Sequence, residues 1–333
     1  MSIIVIVGCV LASLSHGLVA MPAEAIEIGS SRQLFVDDYI IESKHRSFRV
    51  LNQPVKHLGN PIIELTPVQK VGSKDLVIVS GSVFFDREEG LFKMWYEGAD
   101  YEWSNNVVCY ATSRDGINWE LPKLGLYKYQ GSTENNIVFR SSRRVGDVSP
   151  GVFKDPVARD PARKYKMIYK RGAKTTDGVR VAFSPDGIHW TDGADDPIID
   201  VSDSPNSVMW DPRLGVYVAH TRHHAYYDGN YTREVLQSES HDFRSWRAYG
   251  VILKADQADP VRSKQFYNME WMPYEEVYFG FISVYHTLPG METKITPGLD
   301  WIDKVDIQLT FSRDGRNWQR AGDRQVFIPN GSG

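Results

Sequence analysis

Three observations predict an all-β protein built from four-stranded sheets repeated around an axis. First, a Ser-x-Asp-x-x-x-Trp pattern occurs four times, beginning at Ser113, Ser184, Ser240 and Ser312. Second, two strand-like runs precede each copy, and a third run ends at its serine. Third, no long window shows the 3.6-residue spacing of an amphipathic helix. Radially repeated four-stranded sheets are typical of the β-propeller.

Each copy of the pattern is predicted to be a tight turn between the third and the fourth strand of its sheet. In three copies Gly follows Asp, at Gly116, Gly187 and Gly315, whereas Phe243 stands there in the Ser240 copy. Glycine supplies the positive φ of the turn, and the Ser and Asp side chains can accept hydrogen bonds from turn amides. We therefore predict a structural role for these turns.

Four units, each with strands A, B, C and D, are predicted between residues 77 and 322. Strand C ends at the repeated turn and strand D begins at its Trp. The predicted A strands are Val77–Phe85, Gly151–Ala158, Ser207–Trp210 and Phe266–Trp271. The predicted B strands are Leu91–Tyr96, Tyr165–Tyr169, Val216–Thr221 and Val277–Tyr285. A sandwich or an irregular barrel is the alternative, but neither explains the repeated turn.

The two ends of the chain extend beyond these units. Residues 31–65, including Leu34–Ile41, are predicted to form one or two extra strands, and the segment after Trp318 resembles those that lead into the next unit. We therefore expect one propeller domain, residues 31–333, with five blades and the fifth truncated at the C-terminus. A four-bladed ring closed by residues 31–65 is the competing interpretation.

Residues 1–25 are predicted to be a secretory signal peptide, because an apolar run precedes Ala23-Glu24-Ala25. A membrane anchor is the alternative; after cleavage we expect a secreted or periplasmic protein without a membrane segment. The mature chain would keep one cysteine, Cys109, which excludes a disulfide framework and a Cys-rich metal site. Since 38 Lys+Arg face 42 Asp+Glu, the chain lacks the basic excess of a nucleic-acid binder.

The site is predicted on one rim of the propeller. The A strands line the central channel, and the B-to-C segments lie beside the entry to it. These segments are long and rich in aromatic and basic residues, as functional loops are: Glu97–Asn106, Arg171–Asp177, Arg222–Tyr231 and Tyr285–Asp303. The predicted starts of the A strands bring Asp155, Asn206, Asn268 and Glu270 to the same rim. Asp86, Asp160 and Asp211 are predicted turn formers on the opposite rim.

Short motifs add a family resemblance. Phe153-Lys-Asp155-Pro156 resembles the Arg-Asp-Pro element of the five-bladed glycoside hydrolases of families 32 and 43, and Met269-Glu270-Trp271 resembles their later Glu element. Leu34–Tyr39 and His57–Ile62 are similar to a group of secreted bacterial proteins related to those hydrolases. The resemblance covers most of residues 31–333.

The resemblance implies hydrolysis of glycosidic bonds in a poly- or oligosaccharide by carboxylates, without a cofactor. It assigns Asp38, with Asp37 as the second choice, as the first carboxylate, Asp155 as the positioning aspartate and Glu270 as the general acid. Burial beside Trp271 would raise the pKa of Glu270, and Arg171 or Arg222 would keep Asp155 ionised. The candidate substrate-binding residues are Arg171, Asn206, Arg222, Asn268 and Trp271. The sequence departs from the pattern of these families in two ways. The Asn-Asp-Pro-Asn-Gly element of family 32, which carries the first carboxylate, is absent. Glu270 falls in the fourth unit, whereas the families place their Glu in the third blade.

The residues also suggest a metal site, a sialidase-like hydrolase and a carbohydrate-binding propeller. His220, His223 and His224 suggest a metal site, but His223 would point away from the other two on a strand, so no metal is expected. A sialidase-like hydrolase would need three arginines that converge on a carboxylate. A non-catalytic carbohydrate-binding propeller would show the aromatic rim without two facing carboxyls.

Overall fold

The computed structural model describes residues 25–60, 62–63, 75–100, 106–129, 131–140, 148–170, 178–193, 197–199, 203–227, 230–260, 265–287 and 304–330. Strands dominate them, with two 3-10 turns at Pro161–Arg163 and Gly322–Arg324, so the all-β prediction is confirmed. Within these ranges no helix has the length and apolarity needed to cross a bilayer. The predicted signal peptide lies almost wholly outside the described residues.

Four antiparallel sheets follow one another along the chain, and we call them blades 1 to 4. Blade 1 contains β1 (Asp75–Asp86), β2 (Leu91–Asp100), β3 (Val107–Ser113), β4 (Trp119–Glu120) and β5 (Ile137–Phe139). Blade 2 contains β6 (Gly151–Lys154), β7 (Tyr165–Lys170), β8 (Val179–Ser184) and β9 (Thr191–Asp192). Blade 3 contains β10 (Asp203–Asp211), β11 (Val216–Tyr227), β12 (Asn230–Ser240) and β13 (Arg247–Leu253). Blade 4 contains β14 (Gln265–Tyr274), β15 (Val277–His286), β16 (Lys304–Ser312), β17 (Trp318–Arg320) and β18 (Val326–Ile328).

Each blade pairs its strands in chain order, as the repeat predicts. In blades 1 and 4 the outermost strand is broken, and its second piece, β5 or β18, returns to pair with the third strand. One parallel bridge, between Arg233 and Gln265, joins the sheets of blades 3 and 4. The innermost strands β1, β6, β10 and β14 all begin at one end of the channel, which we call the mouth, and finish at the other, the turn end.

Two predicted boundaries are wrong, and each has a local cause. The predicted strand Gly151–Ala158 ends at Lys154, because Asp155 begins a turn and Pro156 has no amide hydrogen for a ladder. The predicted loop Arg222–Tyr231 is instead the end of a long hairpin, since β11 continues to Tyr227 and β12 begins at Asn230.

The repeated turn is a local hydrogen-bonded unit in all four blades. The serine hydroxyl accepts the amide of the third residue after it at 2.8–3.0 Å. The aspartate accepts the next amides at 2.7–2.8 Å. Gly116, Gly187 and Gly315 have φ of 75°, 82° and 74°, so the turn prediction is confirmed.

Apolar clusters fill the three seams between consecutive blades. Trp95 of blade 1 is fully buried, and its Nε1 donates to the Gly187 carbonyl in the turn of blade 2 at 2.7 Å. Phe243 adopts a φ of 60° at the position of that glycine in blade 3. It is fully buried against Phe153 and Tyr217, so the burial of its ring offsets the backbone strain.

The predicted strands at residues 31–65 are wrong for the described part of this segment, which contains turns and irregular chain. Its charges are used in surface ion pairs: Asp37 accepts two hydrogen bonds from Arg313 of blade 4, at 2.7 and 3.0 Å. Asp38 is paired with Lys44 and Arg49 and is about half exposed. Within these ranges, the segment therefore adds no strand that could close a four-bladed ring.

Candidate active site

The four innermost strands enclose a cavity of about 960 Å³. Its lining is largely apolar, with Val83, Phe85, Trp210, Met272 and Phe281 among the contributing side chains. Ser82, Ser207 and Glu270 line it at equivalent positions of β1, β10 and β14, four residues before each strand ends. Blade 4 thus places a carboxyl where two other blades have a hydroxyl.

Glu270 is partly buried in this cavity. Its chain neighbours Met269 and Trp271 point to the other side of the strand, into the seam with blade 3. Desolvation raises the pKa of Glu270 to about 8, although a hydrogen bond from Asn268 acts in the opposite direction. Glu270 is therefore a mainly uncharged carboxylic acid at neutral pH, which can donate a proton.

At the channel mouth Asp203, the first residue of β10, is contacted by two cations, Lys170 and Arg222, and by His224. Lys170 Nζ lies 2.5 Å from Oδ1, and Arg222 Nη1 and His224 Nε2 lie 2.9 and 3.0 Å from Oδ2. Burial acts to raise the pKa of Asp203, but the His224 hydrogen bond and the charges of Arg222 and Lys170 outweigh it and lower the pKa. Asp203 is therefore held ionised.

Arg222 connects the mouth to the strand that carries Glu270. Its Nε donates to the Tyr267 carbonyl at 2.8 Å, and its guanidinium lies 3.7 Å from the centre of the Tyr267 ring. Asn268 follows Tyr267 and hydrogen-bonds Glu270. Arg222 and residues 267–270 of β14 thus link the ionised carboxylate of Asp203 to the protonated carboxyl of Glu270. Acid–base catalysis requires two groups whose pKa values differ in this way.

The three predicted catalytic carboxylates do not share one site. Asp155 lies at the turn end, where it accepts hydrogen bonds from Lys166 and from Tyr217 at 2.9 Å. Its placement at the mouth was wrong, because β6 ends one residue before it. Arg222, one of the two arginines expected to keep Asp155 ionised, forms its ion pair with Asp203 instead. Asp38 lies in the surface ion pairs of the N-terminal segment.

The predicted substrate-binding residues have different surroundings. Trp271 is 4% exposed and packs against His220 and Tyr278, so its predicted role in substrate binding is wrong. Asn206 is buried, and its side-chain amide has no hydrogen-bond partner among the described residues. Asn268 and Arg222 lie by Glu270 and Asp203, whereas Arg171 lies outside the described residues.

The histidine group of β11 is divided between separate contacts. His220 is buried, hydrogen-bonds Gln237 at 3.1 Å, and burial lowers its pKa to about 3. His224 contacts Asp203 and the Tyr231 hydroxyl, the latter at 2.9 Å, while His223 faces Glu234 at 3.4 Å. In the described ranges, no three His, Cys, Asp or Glu side chains are arranged to hold a metal ion.

Sequence reasoning missed Asp203 because its role depends on strands far apart in the chain. Asp203 lies next to Ser204–Ser207, a segment that the sequence did place at the mouth. A signal was present: Asp203 begins an inner strand, whereas Asp86, Asp155 and Asp211 close one.

Comparison with solved structures supports the fold alone, because the sequence identities are low. The chain is similar to an endo-arabinase from Bacteroides thetaiotaomicron, with a TM-score of 0.51, 11% identity, and coverage of 76% of this chain and 82% of the other. It is similar to a candidate glycoside hydrolase from Bacteroides ovatus, with a TM-score of 0.51, 14% identity, and coverage of 86% and 85%. A further glycoside hydrolase matches with a TM-score of 0.51, 16% identity, and coverage of 77% and 75%. No family model and no curated protein matches the sequence. The resemblance to glycoside hydrolases of propeller type is thereby confirmed at the level of fold.

Proposed function

We propose that this protein is a glycoside hydrolase that acts on a poly- or oligosaccharide, with Glu270 as its general acid. The observation that carries the proposal is the position of the Glu270 carboxyl in a cavity lined by all four innermost strands. Glycoside cleavage needs one carboxylic acid to protonate the leaving oxygen and one ionised carboxylate across the bond. The fold shared with glycoside hydrolases agrees with this proposal.

A second carboxylate is assigned from the mouth. Asp203 is proposed as the positioning aspartate, because the His224 hydrogen bond and the charges of Arg222 and Lys170 keep it ionised, and Arg222 links it to β14. This assignment replaces Asp155 in the proposal, and Asp38 is withdrawn from it because Asp38 lies in surface ion pairs.

The test is hydrolysis of a panel of plant and algal polysaccharides by the natural chain and by Glu270→Gln. We expect the variant to lose about 10²–10⁴-fold in kcat, the contribution of a positioned general acid. It should lose far less on an aryl glycoside with a good leaving group, because that group needs no proton. Glu276→Gln, an exposed carboxyl just after the same strand, is the matched control. Equal losses on both substrates would rule out the acid role.

The raised pKa of Glu270 sets the direction of two pH effects. The rate should fall above about pH 8, where the acid loses its proton. The folded state keeps this proton at pH values where an ordinary glutamate, with a pKa of 4.5, has lost it. The free energy of unfolding should therefore decrease as pH rises from 4.5 towards 8, and Glu270→Gln should flatten that slope. If Glu270→Gln showed the same fall in rate above about pH 8 as the natural chain, the assignment of Glu270 as the general acid would be contradicted.

Five blades and export to the periplasm or medium are part of the proposal. Val83 and Phe85 of blade 1 and Met272 and Tyr274 of blade 4 are 40–52% exposed, and a further sheet would cover them. Small-angle X-ray scattering checks this part of the proposal, because the profile of a closed four-bladed ring would contradict it. Sequencing of the mature N-terminus checks cleavage after Ala25.

A binding propeller without catalysis is the second candidate, and the position of Asp155 favours it. If the natural chain retained oligosaccharides but released no reducing ends from any member of the panel, this candidate would replace the hydrolase.

A further inference from the structure

A buried arginine at the channel mouth has no anion beside it among the residues that the structure describes. Arg233 on β12 is 9% exposed, and its Nη1 donates to the Gln265 side chain at 3.1 Å. Its Nε is buried without an acceptor. In the part of the chain that the structure describes, no carboxylate oxygen comes within the 4.0 Å of an ion pair. A buried charge is costly unless it is paired, so this guanidinium has unused capacity for an anion.

Three tyrosines hold the guanidinium in place. Its carbon lies 4.9 Å from the ring centre of Tyr231, 5.2 Å from Tyr267 and 5.5 Å from Tyr285. Such contacts orient a cation and attract it to the ring faces. The rings do not accept hydrogen bonds from the N–H groups in the guanidinium plane, and they do not neutralise its charge. Tyr231 and Tyr267 are partly exposed, so this cage reaches solvent.

A second arginine lies close to Arg233. Arg222 lies against the same Tyr267 ring at 3.7 Å. Arg222 and Lys170 both contact Asp203, whereas Arg233 does not. Glu234, the neighbour of Arg233 on β12, faces His223 instead.

We propose that Arg233, with Arg222 and the Tyr267 ring, binds an anionic group of a sugar, either the carboxylate of a uronic acid or a sulfate ester. The inference rests on the proposed carbohydrate function and names its substrate class. A guanidinium fork matches the two oxygens of a carboxylate or sulfate, and a tyrosine ring packs against the apolar face of a sugar. A neutral sugar would leave Arg233 unpaired.

The experiment measures binding without turnover, by titration calorimetry with two matched pairs of probes. The first pair is trigalacturonate and its methyl ester; the second is a sulfated galactan oligosaccharide and its desulfated form. We expect the charged member of one pair to bind at least 10-fold more tightly than its neutral partner. The pair that shows the difference identifies carboxylate or sulfate. Equal binding within both pairs, or no binding of any probe, overturns the inference.

Variants then locate the effect. Arg233→Gln should lose the charge preference and leave the neutral probes unchanged, while Arg233→Lys should keep part of it. Arg247→Gln, an exposed arginine on β13, should behave like the natural chain. If Arg233→Gln does not fold, a full preference in Arg233→Lys overturns the inference, because an ammonium lacks the fork.

Failure of this inference and of the hydrolase proposal give different results. Charge-selective binding with no hydrolysis of any sugar would leave the inference standing and remove the enzyme. Hydrolysis of neutral sugars without charge-selective binding would remove the inference alone.

Discussion

The two ends of the innermost strands are built on different rules. At the turn end, Asp86, Asp155 and Asp211 close successive strands, and each accepts a hydrogen bond from a tyrosine of the next blade. The donors are Tyr165 at 3.1 Å, Tyr217 at 2.9 Å and Tyr278 at 3.1 Å. At the mouth, by contrast, Asp203 and Arg233 form contacts that no other described blade repeats. The contacts that repeat from blade to blade join neighbouring blades. The contacts that do not repeat, those of Asp203 and Arg233, mark the candidate functional site.

Burial at the turn end agrees with a structural role for these contacts. It raises the pKa of each of the three tyrosines, so each remains a hydrogen-bond donor. Asp86 shows the same design with more charge: burial acts to raise its pKa, but Lys154 and Lys93 outweigh that effect and lower it. A repeated aspartate at a strand end therefore indicates a seam between blades.

The largest stability effect that tests this comparison is expected at Phe243. Phe243→Ala should lower the free energy of unfolding by about 4 kcal/mol, because a fully buried ring leaves a cavity between blades 2 and 3. Urea unfolding measures it. Phe85→Ala, at a half-exposed ring on β1, should cost much less; a similar cost would mean that the seam is no better packed than the surface.

The next effect separates the two kinds of aspartate. Asp155→Asn should lower the free energy of unfolding by about 3 kcal/mol, since it leaves the buried Lys166 without its charge partner. Its kcat should follow only the folded fraction. Asp203→Asn should instead reduce kcat in fully folded protein. Loss of kcat in folded Asp155→Asn would restore Asp155 as a catalytic residue and break the comparison.

The smallest effects concern the tyrosine hydroxyls. Tyr165→Phe, Tyr217→Phe and Tyr278→Phe should each cost about 1 kcal/mol, the usual net value of one buried hydrogen bond. The three lie in different seams, so their losses should add in the triple variant. Thermal or urea unfolding of the single and triple variants checks this. A loss well below the sum would mean that the seams are coupled.

Much of the fold could be predicted because its signals are local. The turn at Ser113 satisfies its own amides within five residues, so the pattern of Ser, Asp and Gly is legible in the sequence. Boundaries were less predictable where a local rule was overlooked, as at Pro156, or where two strands simply continued together, as β11 and β12 do to Tyr227 and Asn230.

The candidate site was predictable in one part only. Glu270 was found through its motif, and the expected desolvation of its carboxyl agrees with the structure. Asp203 and Asp155 differ in sequence only in whether they begin or close an inner strand, and no motif marks Asp203. The difference between them lies in partners that are distant in sequence.

The sequence by itself determined the number of repeated units, their strand order and the turn that closes each of them, since all three depend on contacts between near neighbours in the chain. Only the tertiary structure decided which charges meet. Asp203 is ionised by Lys170, 33 residues away, and Arg222, 19 residues away. Electrostatic interaction depends on distance in space and on burial, and a linear pattern of residues records neither.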